Sequence, residues 1–201
     1  QWNNQKPPLV VQAGRMTQSE VAALFADSGV GFRPAAFDAG LVVEASRPVA
    51  LPGFREGAFV VQDPAQQLVA RFLSPDPASL IYDACAAPGG KSIALARGAR
   101  LLVAGDHRRT RIARLAETIA RAGPANIRVV GADVRHPPFG QADAVVLDVP
   151  CTGTGTFARN PDARWRVSAK ALGALATQAG SFLRHAAEVV RPGGLLLFAT
   201  C

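Results

Sequence analysis

Cysteine is scarce in this 201-residue chain, with three residues at 85, 151 and 201. None stands in a Cys-x-x-Cys pair and none has a histidine at ligand spacing. An odd number of cysteines in this pattern argues against a disulfide framework and against a zinc site, and it fits a reducing, cytoplasmic setting. Lysine is equally rare, at 6, 91 and 170, so the net charge of +7 rests almost wholly on arginine. Long apolar runs are missing too. The longest, such as 195–200 and 144–147, are strand-sized and far short of the roughly 18 residues that a membrane helix needs. No signal peptide is visible. Because the chain begins at Gln1 without Met and stops at Cys201 directly after an apolar run, it is expected to be part of a longer protein.

What is present is enough for a core. At 49% hydrophobic residues the chain is expected to form one soluble domain with an appendage. The arginine surplus points to a polyanionic partner, RNA or DNA, because cations that neutralise phosphates release counterions. The plain alternative is a compositional bias spread over a solvated surface.

Local patterns divide the chain near residue 57. Thr17 and Glu20 form a capping-box pattern ahead of Val21, Leu24 and Phe25, which predicts a helix over 17–28. Strand-like runs at 9–11 and 41–44 flank it, and 48–57 reads as a connector, giving a small α+β unit over residues 1–57. From 58 onward the pattern alternates. Asp63 is placed to cap a helix that has Pro64 in its first turn and Leu68, Val69 and Phe72 on one face. Apolar strands are predicted at 80–83, 101–105, 127–131, 144–148 and 195–200, with helices near 92–97, 109–121 and 169–190. Such alternation predicts an α/β fold with a parallel, doubly wound sheet and ligands at the carboxyl ends of its strands.

Chemistry concentrates at those ends. In the segment Asp83-Ala84-Cys85-Ala86-Ala87-Pro88-Gly89-Gly90-Lys91, the two glycines permit close backbone approach and the following helix aims its N-terminus at a nucleotide-like ligand. Asp106, at a strand end, can accept from ribose hydroxyls, and Asp133 is placed to meet an adenine edge. The spacing matches neither Gly-x-Gly-x-x-Gly nor a P-loop, which counts against NAD and ATP. Arg159, Arg164, Trp165 and Arg166 interleave guanidinium groups with an aromatic and are candidates for RNA contact. The arginines at 108, 109, 111, 114 and 121 lie opposite Ile112, Leu115 and Ile119 and read as a solvated helix face. Cys85 reads as a small packed residue, and His107, His136 and His185 have no partner pattern.

Asp83 to Lys91, Asp148-Val149-Pro150-Cys151 with Thr152-Gly153, and Ala199-Thr200-Cys201 together resemble the first, fourth and sixth motifs of the RsmB/Sun (NOL/NOP/Sun) family of S-adenosylmethionine-dependent RNA 5-methylcytosine methyltransferases. The segments 51–63 and 160–165 are similar to that family as well. The resemblance implies a Rossmann-like class I methyltransferase domain over 58–201, truncated so that its C-terminal strands are missing, with residues 1–57 as a partial RNA-binding unit. It implies S-adenosylmethionine as cofactor, held by Cys85, Ala86, Ala87, Pro88, Gly89, Gly90, Lys91, Asp106, Asp133 and Asp148. Carbon 5 of cytosine is a poor nucleophile, so a thiolate must first add to carbon 6 and turn the ring into an enamine. The family implies Cys201 for that attack, Cys151 for product release and Asp148 for stabilising charge on the ring. The expected partner is RNA, ribosomal first with transfer RNA as the alternative, acted on by a monomer without metal. Two rival readings differ in their thiols. A non-catalytic RNA-binding assembly factor has no need of either Cys151 or Cys201, and a DNA cytosine methyltransferase attacks with Cys151 alone.

Overall fold

The computed structural model describes residues 7–200, without the side chain of Arg166. Two sheets organise them. The first is antiparallel, in the order β2-β3-β1-β4, built from β1 (Leu9–Ala13), β2 (Phe32–Pro34), β3 (Leu41–Val43) and β4 (Phe59–Val61). Alternation along these strands sends Val11, Leu41, Val43 and Phe59 to one face, where they pack with Val21 and Phe25 of helix α1 (Gln18–Asp27). The predicted capping box at Thr17 is present on α1, satisfying backbone donors at the helix start. Strands β2 and β4 escaped the sequence reading, β2 because Phe-Arg-Pro offers neither an apolar run nor an apolar alternation. β4 also lies past residue 57 and pairs with β1.

The second sheet is parallel, in the order β7-β6-β5-β8-β9. Its strands are β5 (Leu80–Asp83), β6 (Leu101–Asp106), β7 (Ile127–Gly131), β8 (Ala142–Asp148) and β9 (Val190–Ala199). One face carries Ile81, Leu102, Ala104, Ala144 and Val146, packed against α2 (Pro64–Leu73), α3 (Gly90–Ala96) and α4 (Arg109–Ala122). The other carries Tyr82, Val103, Val145 and Leu147 against Phe182, Ala186 and Val189 of α5 (Ala169–Val189). Being covered on both faces is why these strands read as unbroken apolar runs.

Two expectations need correction. Helix α2 buries Ala70 and Leu73 and leaves Phe72 82% exposed, so its packed face is rotated from the one expected. The supposed solvated face of α4 is partly an interface: Arg121 lies 4.2 Å over the Phe54 ring and donates to the carbonyl of Phe54 at 2.7 Å. Arg15 donates in return to the carbonyls of Arg121 and Ala120, at 2.7 and 2.6 Å, and Arg97 donates to the carbonyl of Gly14. These bonds clamp the small sheet unit onto the end of α4. Gly57 marks how close the clamp is, with φ at +73° and a hypothetical Cβ only 1.8 Å from the Arg121 carbonyl oxygen.

Among the described residues no helix is long and apolar enough to cross a membrane. No group of three or more His, Cys, Asp or Glu among them could hold a metal ion.

Candidate active site

The parallel register brings Asp83, Asp106, Gly131, Asp148 and Ala199 to the same edge of the sheet as the last residues of their strands. Between Asp83 and α3 the loop is stitched to both neighbouring strands, with Ala84 N–H donating to Val146 and Ala86 N–H to Gly105, each at 2.9 Å. Gly89 closes the loop at φ +111°, with Leu115 and Ile119 so near that a Cβ would crowd them. The N-terminus of α3, with its donors directed outward, follows at once.

Under this loop sits Asp83, 1% exposed. Ser92 Oγ donates to its Oδ2 at 2.7 Å, whereas Oδ1 has no hydrogen-bond partner among the described residues. Burial raises its carboxyl to about 6 against the opposing pull of the Ser92 bond and the Lys91 charge. Lys91 Nζ lies 2.6 Å from Asp148 Oδ2, both groups largely shielded from solvent. One predicted cofactor residue is thereby joined to the predicted catalytic carboxylate.

Asp106 is 4% exposed, and its Oδ2 accepts from Arg111 Nε at 2.8 Å. The same guanidinium donates to the carbonyl of Ala87 at 3.0 Å, tying the loop to the second strand end. Sequence reading assigned Arg111 to a solvated face and missed this role. The available signal was its position five residues after the acid, in the first turn of the following helix. Asp133 takes a bidentate pair from Arg135, at 2.9 and 2.6 Å, which holds its carboxyl well below the usual range. Cys85 is a free thiol whose ionisation burial and the nearby Asp83 push up to about 12, so it carries no thiolate at neutral pH.

The other half of the predicted site lies in an open segment. Cys151 is half-buried beyond β8. Strands β8 and β9 run in register with Asp148 opposite Ala199, and Val149 N–H donates to the Ala199 carbonyl at 3.1 Å. Cys201 lies outside the described residues. Arg159 pairs with Asp63 at 2.8 Å, Arg164 lies 5.9 Å from the Phe157 ring centre, and Trp165 is 84% exposed. The side chain of Arg166 lies outside the described residues.

Residues 70–201 match the 16S rRNA methyltransferase RsmB/F family. The chain is similar to the ribosomal RNA small subunit methyltransferase B of Vibrio cholerae, 35% identical over 99% of this chain and 48% of that protein. It is also similar to a probable ribosomal RNA small subunit methyltransferase B of Synechocystis, 40% identical over 75% of this chain and 35% of that protein. The chain thus spans half or less of the length of these relatives. Among solved structures, PH0851 superposes with a TM-score of 0.90 at 28% identity, covering 99% of this chain and 48% of that one. NSun6 from Pyrococcus horikoshii, solved with the S-adenosylmethionine analogue SFG, gives 0.70 at 31% identity over 81% of this chain and 44% of that one. The residues present suit S-adenosylmethionine: a glycine-opened loop, the buried acid Asp106 at the second strand end, and in Asp83 Oδ1 an orphaned buried acceptor suited to a cationic amino-acid moiety. With the fold, the strand-end carboxylates and these similarities in agreement, the chain belongs to the 16S rRNA methyltransferase RsmB/F family.

Proposed function

We propose that the protein transfers a methyl group from S-adenosylmethionine to carbon 5 of a cytosine in ribosomal RNA through a covalent cysteine adduct. The observation that carries this reading is the parallel register of β8 and β9, in which Asp148 stands opposite Ala199. In the sequence Cys151 follows Asp148 by three positions and Cys201 follows Ala199 by two. In this reading Cys201 adds to carbon 6 of the base, Asp148 accepts hydrogen bonds from the ring as charge develops, and Cys151 assists release of the product. Lys91 holds Asp148 in position through their 2.6 Å pair.

When bound, the cofactor supplies an electrophilic methyl on a sulfonium. Around it, residues 85–91 would supply backbone donors, Asp106 would take the ribose hydroxyls and Asp133 the adenine edge. The base must be unpaired or turned out of its stack to reach the strand ends. We assign residues 1–57 to an accessory RNA-binding unit and 58–201 to the catalytic domain, acting as a cytoplasmic monomer. Arg164, Trp165 and Arg166 serve as contacts to RNA near the target.

The test is transfer of labelled methyl from S-adenosylmethionine into unmodified ribosomal RNA by the full-length protein, followed by nucleoside digestion. Label in 5-methylcytosine, lost in Cys201→Ser, with Cys151→Ser accumulating a protein–RNA adduct, supports the reading. Label that depends on Cys151 alone, or none in RNA while the cofactor binds, overturns it.

A further inference from the structure

The small sheet has a second face, turned away from α1. Val10, Val42 and Arg33 lie side by side across β1, β3 and β2 on that face, because Val42 is the register partner of both neighbours. Further along the same face, Val60 is buried in the core of the parallel-sheet domain. The two ends of one face therefore differ: the Val60 end is covered by the second unit, and the Val10–Val42–Arg33 end borders a cavity of about 480 Å³. Opposite this wall stands the segment that follows Cys151, with Thr156, Ala158 and Arg159 facing it.

We propose that this groove seats an unpaired nucleotide of the substrate RNA that flanks the target cytosine. Three observations select this occupant. The volume lies within the roughly 300–1,000 Å³ of small-ligand sites, and the walls are apolar, as suits a base face. Two guanidinium groups, those of Arg33 and Arg159, border it against the single carboxylate of Asp63, which Arg159 already neutralises at 2.8 Å. A guanidinium has five donors, so Arg159 can hold Asp63 and a phosphate together. Finally, the groove continues from the candidate active site: Gly155 borders it only four residues after Cys151, a reach of at most about 14 Å for an extended chain. One loop thus carries a candidate catalytic thiol at one end and a wall of the groove at the other. The small sheet would select the neighbouring nucleotide while the parallel sheet holds the cofactor.

This inference rests on RNA being the substrate. It is tested with the full-length protein and target-site oligoribonucleotides carrying 4-thiouridine at successive positions beside the cytosine. Irradiation is expected to link one flanking position to residues 7–10, 33–36 or 155–159. Arg33→Glu is expected to weaken oligonucleotide binding about tenfold and raise KM with kcat within about twofold. It should also reduce the slope of log affinity against log salt by about 0.7. Ala36→Trp, which fills the groove from an exposed position, is expected to act in the same direction, with S-adenosylmethionine binding by calorimetry unchanged in both variants. Links confined to other segments, or normal oligonucleotide binding in both variants, overturn the proposal. Normal binding of naked RNA with methylation lost only on assembled ribosomal particles would assign the groove to a protein partner and overturn it equally. If the wild type labels no RNA, the proposed function fails, yet binding and cross-linking still decide the groove. Absence of RNA binding sinks both.

Discussion

The two halves of the candidate site are built differently. On the cofactor side, Asp83 and Asp106 are almost fully buried, and Ser92, Arg111 and the loop backbone are tied to fixed partners. On the side of the Pro-Cys loop, 3₁₀ turns at 154–156 and 161–166 leave Trp165 exposed, and Arg159 reaches back to Asp63. A small cofactor of constant shape rewards preorganisation, since every dipole set in advance spares reorganisation later. A large, structured RNA brings its own surface, and a segment that orders against it need not be packed beforehand.

Lys91→Met breaks the contrast where its halves meet. It leaves Asp148 without its cation, and kcat is expected to fall about 10²-fold in the methyl-transfer assay. Near-wild-type turnover would remove Lys91 from the mechanism.

Asp83→Asn comes next. The folded carboxyl titrates at about 6, above its ordinary value of 3.8. The folded state therefore binds the proton more tightly than the unfolded one, so this group favours folding at low pH and its contribution is lost as pH rises from about 4 to 6. Above pH 6 the ionised, buried acid costs up to a few kcal/mol. The neutral variant should be more stable at pH 7, lack that part of the pH slope in thermal melts, and bind S-adenosylmethionine less tightly. Unchanged affinity would show that the orphaned oxygen has no part in holding the cofactor.

Gly57→Ala probes the clamp between the units. A Cβ there meets the Arg121 carbonyl in a backbone conformation that side chains rarely adopt. Denaturant melts should show a loss of about 1–3 kcal/mol. Trp165→Ala is expected to change stability by less than about 0.5 kcal/mol while costing about 1–3 kcal/mol of RNA affinity by filter binding. A large stability loss instead would make Trp165 a packing residue.

Much of this was legible from short stretches of chain. The caps at Thr17 and Asp63, the five parallel strands and the loop from Asp83 to Lys91 each depend on neighbours within a few positions. Strands β2 and β4 were not, and both pair with partners distant in sequence. Nor were Arg111 and Arg121. On a helical wheel they are polar residues like any other, and only the strand end and the connector opposite them turn one into a strap and the other into a clamp. Phe72 erred the other way, because a period marks an apolar stripe without saying how much of it the neighbouring elements will cover.

The sequence alone determined the order of elements, the cofactor loop and the residue types available at the strand ends, because apolar period, capping and glycine placement act over one or two turns of chain. The pairing of Lys91 with Asp148, the burial of Asp83 beneath its loop and the groove between the small sheet and the loop after Cys151 were decided only in three dimensions. Each depends on tertiary packing, and no local preference specifies a contact whose partner is set by how the sheets and helices pack.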